Sequence, residues 1–218
     1  METRASERRL LSRRLHPVVA VLIVAATALA ILLGVDYASD SWGGRLDRAV
    51  GGWLVAHLGR HPEPVHRLTE LGGPVSIVVA TLLLVIALVL LGRPRAAVLA
   101  AVAPVVAGTV TEWILKPLVD RAGVGQSFPS GHTTGFGAVA FVVVVLAWDL
   151  RPRRLPWSIQ VAVSLAALGL IAGVSAALVA GGYHYATDTL GGVCVALVSV
   201  LTLALGIDAV ADRRTTRC

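Results

Sequence analysis

The chain has 218 residues, 56% of them hydrophobic and only 15% charged, with a formal net charge of +6 at pH 7 and a mean hydropathy of +0.79. That balance excludes an ordinary soluble domain and predicts an integral membrane protein. Nucleic-acid binding is excluded as well: Lys116 is the only lysine, the excess charge is arginine placed between apolar runs, and no basic face is left over.

A basic start, residues 1–16, carries Arg4, Arg8, Arg9, Arg13 and Arg14 and precedes a first apolar run, Pro17 to Val35. A helix crosses the hydrocarbon with about 20 apolar residues, so this run reads as a membrane span and not as the shorter core of a signal peptide. The next loop, Asp36 to Gly73, contains LDRAVGGWLVAHL, in which Leu46, Val50, Trp53, Leu54 and Leu58 recur at helical spacing. That pattern predicts a helix over Leu46 to Leu58 lying on the membrane surface. Spans two and three, Pro74 to Leu91 and Ala96 to Leu115, are separated by Arg93 and Arg95. Span three runs into TEWILKPLVDR, where Glu112 stands one helical turn before Lys116 and predicts an ion pair that orients the lysine.

SFPSGHTTG, residues 127–135, then opens span four, Thr133 to Trp148, and Arg151, Arg153 and Arg154 follow it. Span five, Trp157 to Ala180, leads through GGYHYATD into span six, Thr189 to Ile207, and a tail over residues 211–218 carries Arg213, Arg214 and Arg217. Cys194 and Cys218 have the spacing of neither a metal site nor a disulfide framework. The arginine clusters fall on alternate loops, and the positive-inside rule puts that side in the cytoplasm together with both termini. The predicted fold is therefore all-α, a six-helix bundle over residues 17–210 in the cell membrane, with cytoplasmic residues 1–16 and 211–218.

This topology gathers Lys116, Arg121, Ser130, His132, His184 and Asp188 at the extracytoplasmic end of the bundle. Those groups suit phosphoryl transfer. Ser130 can cap span four while Gly131 lets an anion approach the free N–H groups of the helix start. Lys116 and Arg121 can neutralise phosphate oxygens in the transition state. His184 and Asp188 are spaced i, i+4, so the carboxylate can hold one ring nitrogen and leave the other as a nucleophile. His132 is then free to protonate the leaving oxygen and to activate water. Two histidines and one aspartate among cations make a poor ligand set, so no metal and no cofactor are expected.

PSGH followed by HxxxD at this distance resembles the type-2 phosphatidic acid phosphatase superfamily, integral membrane lipid phosphate phosphatases that include bacterial undecaprenyl-pyrophosphate phosphatases. The family pattern is KxxxxxxRP, PSGH and SRxxxxxHxxxD on six helices. Lys116 matches the first motif's lysine, Pro129 to His132 match the second in full, and His184 and Asp188 match the third's histidine and aspartate. The resemblance implies His184 as nucleophile, His132 as acid and base, and a lipid phosphate or polyprenyl diphosphate substrate; the topology and the histidine chemistry above put its cleavage at the outer leaflet through a phosphohistidine. In two places the chain departs from the pattern. Gly123 stands where the first motif has its arginine, with Arg121 as the expected substitute and Arg60 or Arg67 as candidates from the long loop; Ala177 and Leu178 replace the Ser-Arg pair of the third motif. A phosphotransferase on the same scaffold and a non-catalytic lipid-phosphate binder or transporter are the alternative readings.

Overall fold

The computed structural model describes residues 9–38, 43–123, 125–149 and 156–215. Its helices are α1 (His16–Asp36), α2 (Arg45–Leu58), α3 (Pro62–Leu71), α4 (Pro74–Leu90), α5 (Pro94–Thr109), α6 (Lys116–Val119), α7 (Gly131–Asp149), α8 (Trp157–Ala180) and α9 (Ala186–Thr215). A π-helical stretch, Val110–Leu115, joins α5 to α6. Strand pairing among the described residues is confined to a short antiparallel ladder between Ala122–Gly123 and Gly125–Gln126. Proline opens α1, α3, α4 and α5, a position whose N–H has no intrahelical partner in any case.

Five helical segments are long and apolar enough to cross a membrane, and α3 with α4, bent by 51° between them, makes a sixth as a broken pair. The all-helical, multi-span architecture expected from the apolar runs is therefore what the structure shows. The addition is α3. It falls in the loop Asp36 to Gly73, and its Pro62 and Pro64 both lie in the first turn, where proline is tolerated.

Helix α7 is the centre of the bundle, packed by α4, α5, α8 and α9. Small side chains make the contact. Ala96, Ala100, Ala103 and Ala107 of α5 and Ala196, Val200 and Ala204 of α9 are buried around Ala138 and Val142 of α7. In lipid, burial of apolar surface gives helices little reason to associate, so close backbone approach across such residues holds them. Many large apolar side chains point outward, among them Val35, Val75, Leu90 and Leu165, and present the surface that hydrocarbon would wet.

Helix α2 forms where the pattern predicts it, and its buried face joins Leu54 of the apolar stripe to Asp47. Leu46 and Trp53 are 54% and 59% exposed, whereas Asp47 and Leu54 are buried against α8 and α9. The carboxylate turns inward because it has a buried cation to meet, as described below.

At the opposite end of the bundle, Asp208 of α9 is buried and accepts the backbone N–H groups of Leu10 and Leu11 at 2.8 and 2.9 Å. Arg95 lies 3.8 Å from the same carboxylate, and Arg9 pairs with Asp212. Part of the arginine-rich side is thus an ordered seam between residues 9–11 and α9. Arg4, Arg8, Arg151, Arg153, Arg154, Arg217 and Cys218 lie outside the described residues.

Candidate active site

The site begins with the π turn. Within it the N–H of Lys116 reaches the carbonyl of Thr111, a widened turn of a kind frequent at functional sites. Nζ of Lys116 lies 2.8 Å from Oε2 of Glu112, and the two side chains are 18% and 48% exposed. This is the ion pair read from the i, i+4 spacing. The turn is tied to α7 by hydroxyls: Thr111 donates to Thr134 at 3.2 Å, and Thr134 donates to the Ser130 carbonyl at 2.8 Å.

PSGH forms the entry to α7. The Ser130 side chain is buried, and its Oγ accepts the N–H of Thr133 at 3.4 Å, the geometry of a helix cap. Its backbone N–H donates to the Asp188 carbonyl at 2.9 Å, which joins the second motif to the third. Gly192 permits that junction, because a Cβ there would fall 2.7 Å from the Ser130 carbonyl oxygen. Gly131 is equally constrained. A Cβ at Gly131 would fall 2.3 Å from Oε1 of Glu112 and 3.9 Å from Nζ of Lys116, so the lysine, the carboxylate and the first turn of α7 share one small volume.

His132 and His184 meet beside it, with ring centroids 6.2 Å apart and planes inclined by 62°. His184 precedes α9 and is not on it. Its Nδ1 is 3.7 Å from Oδ2 of Asp188, within ion-pair range but too long for a hydrogen bond. The nearer partner of Oδ2 is the Tyr185 N–H at 2.9 Å, so Asp188 closes the first turn of α9 as the acidic half of a capping box. The aspartate stands next to the imidazole, as the spacing predicts, while its hydrogen bonds go to backbone and guanidinium.

Arg121 departs most from the expectation. Its side chain is 0% exposed: Nη1 donates to Oδ1 of Asp188 at 2.6 Å and to Oγ1 of Thr187 at 2.7 Å, and Nη2 donates to Oδ2 of Asp47 at 2.7 Å. The guanidinium lies between the rings of Tyr37 and Tyr185, at 4.1 and 4.4 Å from their centroids. Asp47 also accepts the Thr187 N–H at 2.9 Å. With two carboxylates and no open face, Arg121 is a buried tie between α2 and α9, so the guanidinium expected at the phosphate is paired inside the protein. A charge so buried persists only when paired. The loop candidates do not replace it: Arg67 pairs with Glu63 on the exposed face of α3, and Arg60 is exposed beyond α2. Ala177 and Leu178 are buried apolar residues of α8.

Sequence reasoning missed Asp47, Tyr37 and Thr187. The available signal was an acidic residue on the polar side of the predicted α2. A cavity of about 320 Å³ also opens between α2 and the turn joining α8 to α9, lined by Arg48, Ser127, Tyr183 and His184 among others.

Fold and geometry together define a multi-pass membrane protein with a polar, histidine-bearing end. The model of the PAP2 superfamily matches residues 74–210, more than half of the chain, and the protein belongs to that superfamily as a membrane phosphatase of the lipid phosphate type. The fold is similar to the crystal structure of the first transmembrane PAP2-type phosphatidylglycerolphosphate phosphatase from Bacillus subtilis. The two share 19% sequence identity at a TM-score of 0.69, over 86% of this chain and 96% of that one. No curated protein matches this chain by sequence.

Proposed function

We propose that the protein hydrolyses a lipid phosphate or polyprenyl diphosphate at the outer leaflet, without a metal, through a phosphohistidine. The observation that carries this reading is the approach of His132 and His184 to 6.2 Å between ring centroids, next to Lys116 and the start of α7. In the first step a ring nitrogen of His184 forms a bond to phosphorus as the bond to the lipid oxygen breaks, and His132 gives that oxygen a proton. In the second, His132 takes a proton from water, the water oxygen bonds to phosphorus, and His184 is released. Asp188 beside the other ring nitrogen favours the cationic imidazole of the intermediate. Lys116 and the N–H groups at the start of α7 hold the phosphate oxygens. Cytoplasmic termini, from the arginine pattern, set this end of the bundle outward.

The test is phosphate release by purified protein from a panel of lipid phosphates and polyprenyl diphosphates, with and without EDTA. Phosphatidylglycerol phosphate, the substrate in the name of the Bacillus subtilis protein, belongs in that panel. Release that survives EDTA and is blocked by vanadate supports the reading; release that needs an added divalent ion rejects the metal-free step, and binding without release makes the protein a lipid-phosphate binder. His132→Ala sharpens the roles, because its loss of rate should be greater on a phosphatidic acid than on a diphosphate, whose leaving group needs a proton less. A reporter fused after Cys218 that proved extracytoplasmic would reverse the orientation.

A further inference from the structure

Glu112 stands in the place that the proposed mechanism reserves for phosphate. One carboxylate oxygen pairs with Lys116 at 2.8 Å, and the other lies 2.3 Å from the point where Gly131 would carry a Cβ. A simple orienting partner for the lysine needs only the first of these contacts. The second puts negative charge against the opening turn of α7, whose first N–H groups lack partners within the helix and whose dipole favours an anion. Lysine and helix start are the two positive elements assigned to the substrate; the carboxylate pairs with the first and lies against the second.

Its setting also lets it leave. The Glu112 side chain is 48% exposed, whereas Asp47 and Asp188 are sealed at 0% with their own cation. Gly123 and Leu178 supply no guanidinium here, so an arriving phosphate meets a lysine already neutralised by a neighbour. The phosphate group carries more charge and more acceptor oxygens than the carboxylate, and can displace it.

Resting on the phosphatase reading, we propose that Glu112 is a resident anion of the phosphate site. It holds Lys116 and the start of α7 between turnovers, yields both to the transferring phosphate, and on returning expels inorganic phosphate. The exchange is noncovalent, one anion for another on the same cations.

Inorganic phosphate is the probe, titrated calorimetrically into the full-length protein in detergent micelles and also used as an inhibitor of lipid phosphate hydrolysis. Glu112→Gln should bind phosphate about tenfold or more tightly than wild type, and Glu112→Ala should move in the same direction. Turnover in both variants should show a burst of lipid product followed by a slower rate set by phosphate release. If Glu112 merely orients Lys116, both variants bind phosphate more weakly or unchanged, and that result overturns the inference. Thermal unfolding of each variant separates weak binding from a damaged fold. The calorimetric arm requires no turnover: a protein that binds phosphate more tightly without Glu112 but hydrolyses no lipid would sink the phosphatase reading and the product-expelling step with it, and keep only Glu112 as the resident anion of a phosphate-binding site.

Discussion

Lys116 and Arg121 are five residues apart in the chain, and each meets a carboxylate at 2.8 Å or less. Their access to solvent separates them. The Lys116 and Glu112 side chains are 18% and 48% exposed; those of Arg121, Asp47 and Asp188 are all 0% exposed. A pair in contact with water can exchange one partner for a ligand at small cost, because each group can be solvated while the exchange occurs. A sealed triad cannot, since removal of either sign leaves a bare buried charge. The cation that the sequence offers as a substitute phosphate ligand is thus the one the fold has committed, while the neighbouring pair remains exchangeable. In this molecule one cluster stays open for the proposed phosphate and the other ties α2 to α9.

The largest effect should come from the residue between the two clusters. His184→Ala is expected to lower turnover by four orders of magnitude or more and to abolish any acid-labile phosphoryl-enzyme, with unfolding temperature near wild type. Rapid-quench trapping of labelled protein checks it, and unchanged kinetics would refute the mechanism. Next comes the sealed cluster. Arg121→Ala should cost about 3–5 kcal/mol of stability, the usual consequence of stranding buried charge. Asp47→Asn in the same chain should recover part of that loss, a coupling read from a double-mutant cycle of unfolding midpoints. Loss of rate at unchanged stability would instead make Arg121 a phosphate contact and dissolve the contrast.

Lys116→Ala should reverse the pattern. Its turnover is expected to fall by roughly a hundredfold, the magnitude typical of one charge-assisted contact to the transferring group, while stability changes by less than about 1 kcal/mol because the pair is partly exposed. The smallest effect belongs to Arg67→Ala on the exposed face of α3, with kinetics unchanged and stability altered by no more than about 0.5 kcal/mol. A large kinetic defect there would show that the long loop folds over the site.

Much of the fold was legible from local features. Apolar runs of span length forecast the membrane helices, because a helix satisfies its own backbone in hydrocarbon whatever its neighbours are. The order of those runs was enough to bring Lys116, PSGH and the HxxxD segment to one end of the bundle. Glu112 and Lys116 paired as their spacing indicates, since that contact lies within one helical turn.

What the sequence alone did not determine is long-range. Asp47 reaches Arg121 across 74 residues and Thr187 across 140, and Asp208 reaches Leu10 across 198. Nothing in the local pattern of α2 says that its acidic side faces inward, because that choice depends on a buried guanidinium contributed by a different loop. Likewise the spacing of His184 and Asp188 put them side by side, but the helix start and Arg121 took the hydrogen bonds of the carboxylate. Helix length and composition are properties of a segment. The partner of a buried charge is a property of the packed whole, because an ion taken out of water must be met by an opposite charge wherever in the chain the fold supplies one.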